Sequence, residues 1–532
     1  MNIYVISFTI ILIFNLVKNK KSLHMLQQNL YNENNRYLKW LKKNLKYVFL
    51  SLEPLAIICL IAAYLIDKQI VSNILIIISL IVYILEMLRL TSVRKQEQVK
   101  KPLVYTKRVK RLIVTTSILF LIPIAIYIVN YENGELILLI ISIMTYLSYL
   151  ILWLSKIINT PVERYVYHYY ETKAKNKLKS MSKLKVVGIT GSYGKTSSKN
   201  ILNDILNVKY ISRPTPKNLN TEYGLMITIN NYLDKFDEIF IAEMGAYKKG
   251  EIKKLCNMVH PTYGILTTIG LAHLETFGSP ENIVKTKFEL IESLPDDGVG
   301  VLNGDDPKQL SYKIKSNCKK IWIGIDNKDV DIYACDIKCG YKGSTFNVVF
   351  KGDKNKYPFE TKLLGNHNIY NILAGIALGK EFGMTIAELQ KGVSKVKPIE
   401  SRLELRNYGY MYQINDAYNS NPVGAKMALD VLKLMPGTKV VVTPGMIELG
   451  EKEQELNNIF GTQISKVADY VILVGEKRTK PIFKGIVESG FDKEKIYVVN
   501  SVYDAYTLLQ KLKVDNDIYA LFENDLPDAC NE

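Results

Sequence analysis

The chain has 532 residues, of which 48% are hydrophobic, and 69 Lys and Arg against 52 Asp and Glu give a formal net charge of +17. This length predicts three or four domains, and the basic excess is not accompanied by any nucleic-acid motif. Six scattered cysteines, with Cys335 and Cys339 four residues apart, predict free thiols in a reducing compartment in preference to a zinc site.

Five long apolar stretches fill the N-terminal part of the chain, near residues 3–17, 47–66, 70–88, 112–130 and 136–154. Each approaches the roughly 20 apolar residues with which a helix crosses about 30 Å of hydrocarbon. The first stretch is short and has a signal peptide as its alternative, but no small-residue cleavage site follows it, which favours an uncleaved anchor. Residues 1–158 are therefore predicted to form a transmembrane domain of about five helices.

Basic residues concentrate in two connecting segments, 18–46 and 94–111, whereas the connections near 67–68 and 131–135 are short and poor in positive charge. Because positive charge marks cytoplasmic loops, an odd number of spans places the long C-terminal part in the cytoplasm. The prediction is a multi-pass protein of the plasma membrane. The basic segments explain much of the net charge and would attract anionic membrane lipid at about 1 kcal/mol per basic residue.

The remainder of the chain has the alternation of strands and helices that predicts an α/β fold. Residues 159–182 are basic and rich in tyrosine, which is typical of a surface helix or linker. Strand-like runs follow near 239–241, 264–266 and 299–302, and a second series lies near 440–442, 470–474 and 495–499 after a turn-rich segment at 400–409. We place the domain boundary near Lys397, which gives domains at 183–397 and 398–532, with ligands expected at the C-terminal ends of the strands.

A glycine-rich run at residues 188–197, GITGSYGKTS, follows an apolar strand-like stretch and opens a helical one. In this context backbone N–H groups can surround phosphate, Lys195 can reach the β and γ phosphates, and the Thr196 hydroxyl can bind magnesium. ATP is the expected ligand. The strict P-loop pattern is not met, because Ile189 stands where its first glycine belongs, and a glycine-rich turn without a ligand is the alternative.

The Thr-Gly-Ser-x-Gly-Lys-Thr form of this run resembles the ATP loop of the Mur ligases, which synthesise amide bonds of the bacterial cell wall. Further strings occur in that family's order, at 214–225, 242–246, 267–278, 285–289, 302–307, 365–371 and 416–422. The resemblance covers roughly residues 183–510. Glu-Met-Gly-Ala and Tyr-Asn-x-Asn-Pro are most similar to the branch that adds D-alanyl-D-alanine to UDP-N-acetylmuramoyl-tripeptide.

The resemblance implies a P-loop central domain, a Rossmann-like C-terminal domain, and ATP-dependent amide synthesis through an acyl phosphate, with ATP and magnesium as cofactors. It assigns catalytic roles to Lys195, Lys287, His273 and Arg402. It places magnesium on Thr196, Glu243 and His273. It assigns the nucleotide to Gly191, Ser192, Gly194, Lys195, Thr196, Ser197, Asn303, Asn368, Asn371 and Asp416, and the substrates to Asn218, Asn220, Asn419 and Asn421.

Simpler structural roles compete with several of these assignments. Glu243 could cap a helix or form an ion pair, and His273 could be a hydrogen-bonded loop residue. Lys287 corresponds to the lysine that is carbamylated in many Mur ligases, but Lys285 is a nearby rival and either could be a solvated helix charge. The Asn368 and Asn371 pair, and Asn421, could serve capping and turn formation.

The substrate side departs from the resembled branch in three places. A predicted membrane domain occupies the position of the small UDP-binding domain. Gly445 stands where the family has an aspartate, and the tail at 521–528 lacks a Lys-Gly-Ser-Arg-like string. The expected partners are a cell-wall precursor, which is a nucleotide- or lipid-linked muramoyl-peptide, and an amino acid or dipeptide.

Two other functions remain open from the sequence. A membrane-tethered synthase of poly-γ-glutamate or a related polymer would use the same ATP chemistry. An ATP-driven transporter or nucleotide-gated membrane regulator belongs to another class, but Glu53 and Glu86 lie near the ends of the apolar stretches, whereas transport paths place charges deeper.

Overall fold

The computed structural model describes residues 3–29, 31, 35–94, 102–130, 133–270, 274–399, 402–417, 420–447 and 449–524. These residues form two compact units, which meet in sequence between Tyr169 and Tyr170. The first unit is helical, and the second contains two β-sheets with their helices.

The helical unit packs its apolar side chains around aromatic residues such as Phe14, Tyr83 and Phe120, all fully buried. Helix α9, which contains the division between the units, is polar and rich in tyrosine and lysine. The helices are α1 (Ile3–Gln28), α2 (Arg36–Lys43), α3 (Leu45–Phe49), α4 (Glu53–Leu65), α5 (Gln69–Arg94), α6 (Lys107–Asn130), α7 (Gly134–Tyr146), α8 (Ser148–Ile158) and α9 (Thr160–Ser180).

Fewer helices than predicted have the length and composition to cross a membrane. Within the described residues these are α1, α5 and α6, and the number rises to four if the bent pair of α7 and α8, with 83° between them, counts as one span. The predicted count of five is not reached, because the stretch at 47–66 breaks between α3 and α4. Helix α4 has 13 residues and is about 20 Å long, which is short of the roughly 30 Å of hydrocarbon.

The two acidic residues of the apolar stretches are both buried and both ion-paired. Glu53 Oε1 lies 2.6 Å from Lys18 Nζ, and Glu86 pairs with Arg89 one turn along α5. A buried charge is tolerated when an opposite charge compensates it.

The larger sheet of the second unit has nine strands in the order β2-β3-β1-β4-β5-β6-β7-β8-β9. Its elements are β1 (Lys185–Thr190), α10 (Lys195–Leu206), β2 (Ser212–Pro214), α11 (Glu222–Asn231), β3 (Ile239–Glu243), α12 (Glu251–Val259), β4 (Tyr263–Leu266), α13 (Leu274–Phe277), α14 (Pro280–Glu292), β5 (Val299–Asn303), α15 (Pro307–Leu310), β6 (Lys319–Gly324), β7 (Ile332–Gly340), β8 (Gly343–Phe350), β9 (Tyr357–Thr361), α16 (Asn366–Glu381) and α17 (Ile386–Lys395).

Neighbouring strands from β2 to β7 in this sheet are parallel, as the alternating pattern predicted. Strands such as β3 and β5 are buried along their whole length, because helices cover both faces of a parallel sheet. The antiparallel extension through β7, β8 and β9 was not predicted. A two-residue connection between β7 and β8 permits this reversal, whereas a parallel crossover needs a dozen or more residues.

The smaller sheet has six strands in the order β10-β11-β15-β12-β13-β14, and only β10 runs antiparallel to its neighbour. Strand β10 lies within the segment that was predicted to be rich in turns. The elements are β10 (Glu404–Asn407), β11 (Tyr412–Asp416), α18 (Pro422–Lys433), β12 (Thr438–Thr443), α19 (Glu453–Ile464), β13 (Tyr470–Val474), α20 (Glu476–Glu488), β14 (Ile496–Val499), α21 (Val502–Lys511) and β15 (Ile518–Glu523).

Candidate active site

The glycine-rich loop connects the carboxyl end of β1 to the first turn of α10. Gly194 is the N-cap of α10 and has φ +80°, a left-handed conformation that favours glycine. A Cβ atom on Gly191 would lie 1.9 Å from Thr267 Oγ1, so only glycine allows the loop to pass this side chain. The free N–H groups at the start of α10 therefore line a tight loop that is suited to an anion.

Hydrogen bonds from the segment after β4 hold the loop in this shape. The Ser192 hydroxyl donates to the Gly270 carbonyl at 2.9 Å, the Ser192 N–H donates to the Thr268 carbonyl at 2.9 Å, and Thr267 Oγ1 donates to the Tyr193 carbonyl at 2.6 Å. The loop is thus preorganised by the segment that follows β4, which reduces the cost of ordering it around a ligand.

Lys195 folds back over the loop and donates to the Gly191 carbonyl at 2.8 Å and the Ser192 carbonyl at 3.1 Å. Burial lowers the pKa of Lys195 to about 8; Glu243 counteracts this decrease and Arg402 adds to it. The predicted phosphate-binding lysine therefore lies within the loop, where its charge is influenced by Arg402, a residue that precedes the second sheet.

Glu243, the last residue of β3, is the centre of a buried cluster. Thr196 Oγ1 donates to its carboxylate at 3.1 Å, Asn220 Nδ2 donates at 3.0 Å, and Lys199 Nζ lies 2.9 Å from Oε2. The side chains of Lys199 and Glu243 are each 2% exposed, and Lys199 also donates to the Lys217 carbonyl. The cluster connects α10, β3 and the loop after β2.

Two of the oxygen-bearing side chains in this cluster suit magnesium. The Thr196 hydroxyl and the Glu243 carboxylate offer the oxygen ligands that Mg²⁺ prefers. Within the described ranges no group of three or more His, Cys, Asp and Glu side chains is placed to hold a metal ion. His273, the third predicted ligand, lies outside the described residues. Thr196 and Glu243 are therefore the residues that would hold the ion.

Lys287 is buried on α14, whereas its rival Lys285 is exposed. Its Nζ lies 5.5 Å from the centre of the Phe277 ring. Burial, with the positive charge of Lys195 as a second cause, holds the pKa of Lys287 well below its usual range. A neutral amine is the form that reacts with carbon dioxide, and a lowered pKa favours that form. The structure thus favours Lys287 over Lys285 as the lysine that could be carbamylated.

A cavity of about 100 Å³ joins the phosphate loop to the smaller sheet. Its lining includes several of the residues predicted to bind the nucleotide, and they come from both domains. These are Gly194, Ser197, Asn303, Asn371 and Asp416, and the predicted catalytic residue Arg402 lines the cavity with them. Residues more than 200 positions apart are thereby brought to one pocket.

Asn368 and Asn371, which were both predicted to bind the nucleotide, have different positions. Asn371 lines the cavity and lies beside Gly194, whereas Asn368 is buried and donates to the Leu364 carbonyl at 2.9 Å. Asn368 therefore has the local hydrogen-bonding role that the sequence left open. Asn303 lines the cavity, and its side-chain oxygen accepts the Asp305 N–H in the turn after β5.

The predicted substrate residues are only partly brought together. Asn220 contacts Glu243, and Asn218 is exposed in the same loop. Asn421 lines the cavity but also caps α18, where its side chain accepts the Gly424 N–H at 2.9 Å. Asn419 lies outside the described residues.

Asp416 is the last residue of β11 and lines the cavity. Burial raises its pKa to about 6, although the positive charge of Arg402 and the Leu403 N–H act in the opposite direction. Arg402, predicted to be catalytic, and Asp416, predicted to bind the nucleotide, thus both line the cavity.

Three residues of the site were missed by sequence reasoning. Lys199 lies one helical turn after Lys195, a spacing that could have placed both lysines on the same face of the helix. Tyr193 and His367 line the cavity, and burial together with Arg402 lowers the pKa of His367 to about 4. The sequence analysis included His367 only as part of the Gly-Asn-His-Asn string and gave it no role.

A phosphate loop at the carboxyl edge of a parallel sheet, completed by side chains from a second α/β sheet, defines a nucleotide-binding P-loop protein. The family model described as "Mur ligase middle domain" matches residues 189–379, and the one described as "Mur ligase, glutamate ligase domain" matches residues 401–522. Together they match more than half of the chain. The chain therefore belongs to the Mur ligase family, and the resemblance seen in its sequence is confirmed.

Curated relatives place the chain near one branch of this family. It is 34% identical to the UDP-N-acetylmuramoyl-tripeptide--D-alanyl-D-alanine ligase of Bacillus subtilis over 53% of this chain and 60% of that relative. It is 31% identical to the enzyme of the same name from Escherichia coli, over 55% of this chain and 65% of that relative. The chain thus spans less than two thirds of either relative's length.

Solved structures agree on the fold. The MurF ligase of Thermotoga maritima, in complex with ADP, aligns with a TM-score of 0.60 and 26% identity over 67% of this chain and 80% of that one. A MurF structure from Acinetobacter baumannii aligns with a TM-score of 0.60 at 23% identity, over 68% of this chain and 77% of that one, and supports the fold alone.

Proposed function

We propose that this protein is an ATP-dependent ligase that adds D-alanyl-D-alanine to a muramoyl tripeptide. The observation that carries the proposal is the shared cavity, in which the phosphate loop with Lys195 meets Asn371, Arg402 and Asp416. The names of the two curated relatives supply the substrates.

The reaction requires a better leaving group than hydroxide on the acceptor carboxylate. A carboxylate oxygen attacks the γ phosphorus of ATP, the bond to the β-γ bridging oxygen breaks, and ADP leaves with an acyl phosphate remaining. The amine of the dipeptide then attacks the acyl carbon, loses a proton, and expels inorganic phosphate. Lys195 and Arg402 stabilise the negative charge of the transferring phosphoryl group.

Magnesium, when bound, would supply Lewis-acid stabilisation of phosphoryl oxygens. Thr196 and Glu243 would hold it, and Lys199 and Asn220 orient the Glu243 carboxylate. A carbamate on Lys287 would add a further carboxylate to the metal site, as the resemblance implies. Burial of the Lys287 amine favours the neutral form that this modification requires.

We propose that the acceptor is presented at the cytoplasmic face of the plasma membrane. The matched region begins at residue 189, and the apolar helices α1, α5 and α6 precede it. Basic residues concentrate at 18–46 and 94–111, and positive charge favours the cytoplasmic side. Both segments share that side with the ligase when α4 and the bent pair of α7 and α8 also cross the membrane, which gives five crossings in all. A lipid-linked muramoyl-peptide is the acceptor that makes use of such an anchor. Cysteine accessibility at 18–46, 67–68 and 131–135 in intact cells tests this topology.

Phosphate release by the full chain in detergent, with ATP and magnesium, tests the reaction. UDP-muramoyl-tripeptide or its lipid-linked form is added, each with and without D-alanyl-D-alanine. Release that needs both a muramoyl-peptide and the dipeptide supports the proposal, and use of the soluble nucleotide form alone contradicts membrane presentation. Release that depends instead on glutamate would replace the proposal with a polymer ligase.

A further inference from the structure

Two carboxylates lie side by side at the carboxyl edge of the smaller sheet. Strands β11 and β15 are parallel neighbours, and their last residues, Asp416 and Glu523, are register partners. Neighbouring strands are about 4.8 Å apart, and paired residues project from the same face of the sheet. Asp416 lines the cavity of the candidate active site.

Glu523 is 1% exposed, and its two oxygens have different surroundings. Oε1 accepts a hydrogen bond from the Ser420 hydroxyl at 2.6 Å. Oε2 is buried and has no hydrogen-bond partner in the described part of the chain. A buried acceptor without a donor is costly, and two adjacent carboxylates cannot both ionise without repulsion. A single proton between Glu523 and Asp416 removes both costs.

The groups around the pair do not supply an alternative to that proton. Arg402 acts on both carboxyls, the Leu403 N–H acts on Asp416, and Ser420 acts on Glu523, but burial still raises the pKa of each carboxyl. His367 also lines the cavity, and burial together with the charge of Arg402 lowers its pKa to about 4, so it is neutral near pH 7. The Asn524 amide on the same strand end donates elsewhere, to the Gly445 carbonyl at 2.6 Å. Burial and the neighbouring Asp416 hold the pKa of Glu523 well above its usual range.

We propose that Asp416 and Glu523 form a carboxyl pair that holds one proton, in which Glu523 is a positioning residue that fixes the Asp416 carboxylate at the nucleotide. This inference rests on the proposed ATP-dependent function, since Asp416 is one of the residues expected to bind the nucleotide. With one proton the pair carries a single negative charge. Loss of that proton at higher pH doubles the charge and forces the two carboxylates apart, so nucleotide affinity falls on the alkaline side.

Equilibrium binding of ADP to the full chain in detergent between pH 7 and 9 tests the inference. The comparison is between the native protein, Glu523→Gln and the control Glu494→Gln, whose residue is exposed on the same domain. The native protein and the control should lose affinity by up to about tenfold per pH unit once the pair loses its proton. Glu523→Gln donates an N–H to Asp416 without titrating, so its profile should lack that loss. Lys195 titrates in all three proteins, so its effect cancels when the ADP affinity of one protein is divided by that of another at the same pH.

Ser420→Ala is a second variant in case Glu523→Gln does not fold. Removing the hydroxyl removes a hydrogen bond that favours the ionised Glu523, so the alkaline loss should move to higher pH. A third readout needs no nucleotide. Because the folded-state pKa of Glu523 is raised, its stabilising contribution is lost as pH rises, and the melting temperature of Glu523→Gln relative to the native protein should increase with pH.

Identical alkaline profiles for the native protein and Glu523→Gln would overturn the carboxyl pair while leaving ATP binding intact. Stabilisation of the native protein, but not of Glu523→Gln, by magnesium without nucleotide would also overturn it, because a cation would then occupy the place of the proton. Absence of ADP binding in every protein at every pH would overturn the proposed function, and this inference with it.

Discussion

The two sheets of the ligase unit both end in buried carboxylates, but they compensate the charge differently. Glu243 ends β3 and has Lys199 at 2.9 Å, whereas Glu523 ends β15 and has Asp416 as its register partner. The first edge combines a carboxylate with two lysines at the phosphate loop, and the second combines two carboxylates with Arg402. A buried carboxylate at the end of a strand can therefore be compensated either by a fixed counter-charge or by a proton. The edge at Glu243 suits phosphate and a metal ion, whereas the edge at Glu523 suits hydroxyl groups.

Removing the counter-charge at the first edge should give the largest effect. Lys199→Met leaves the Glu243 carboxylate buried and unpaired, so we expect a loss of about 3–5 kcal/mol in the free energy of unfolding. Denaturant unfolding of the full chain in detergent measures it. Lys209→Met is the control, because Lys209 forms a surface ion pair with Glu388 at 3.4 Å, and it should cost less than about 1 kcal/mol.

The double variant Lys199→Met with Glu243→Gln sharpens the same comparison. It removes both charges, so it should recover part of the stability that Lys199→Met alone loses. If Lys199→Met is no less stable than Lys209→Met, the ion pair with Lys199 is not what compensates the buried Glu243 carboxylate.

Loss of the phosphate-loop lysine should separate catalysis from folding. Lys195→Ala removes a charge aimed at the transferring phosphoryl group, and we expect kcat to fall by about 10²–10³. Substrate-dependent phosphate release measures it, with Lys183→Ala as a control at an exposed position before β1. A fall of similar size in Lys183→Ala would contradict the assignment.

Replacing Lys287, the buried lysine of α14, should lower activity less than replacing Lys195. Lys287→Ala is expected to lower activity about 10- to 100-fold, the range for residues that support a metal site. Lys285→Ala, two residues away and exposed, should retain activity. Mass spectrometry of the native protein at neutral pH can detect the carbamate, and equal activities for the two variants would exclude a special role for Lys287.

The pH dependence of ATP use should be the mildest effect. Lys195 binds phosphate in its charged form, and burial lowers its pKa to about 8. Loss of the proton above that pH should raise the KM for ATP toward pH 9, whereas inhibition by adenosine, which has no phosphate, should lack this component. Lys195→Arg keeps its charge, and its KM should not share the rise.

Prediction from the sequence was strongest where the chemistry is local. The run at 188–197 could be assigned to phosphate because its glycines, Lys195 and Thr196 are adjacent in the chain and act through backbone geometry. The parallel order of strands followed from alternating patterns. The antiparallel strands β8 and β9 were missed, because short runs with one exposed face carry no direct signal of their partners.

The membrane-helix count was overestimated because hydropathy does not register a break in a helix. The stretch at 47–66 remains apolar through its interruption at 50–52. The residues Asn368 and Asn371 show the same difficulty at the site, since both share a helical face but only Asn371 reaches the cavity.

The sequence by itself determined the family, the phosphate loop and the α/β order, because these depend on residues close together in the chain and on strings that the family shares. The tertiary structure alone decided how buried charge is compensated. Lys199 reaches Glu243 across 44 positions, and Glu523 is aligned with Asp416 across 107 positions by the register of two strands. Burial and charge compensation are properties of residues that meet only after folding, so spacing along the chain does not reveal them.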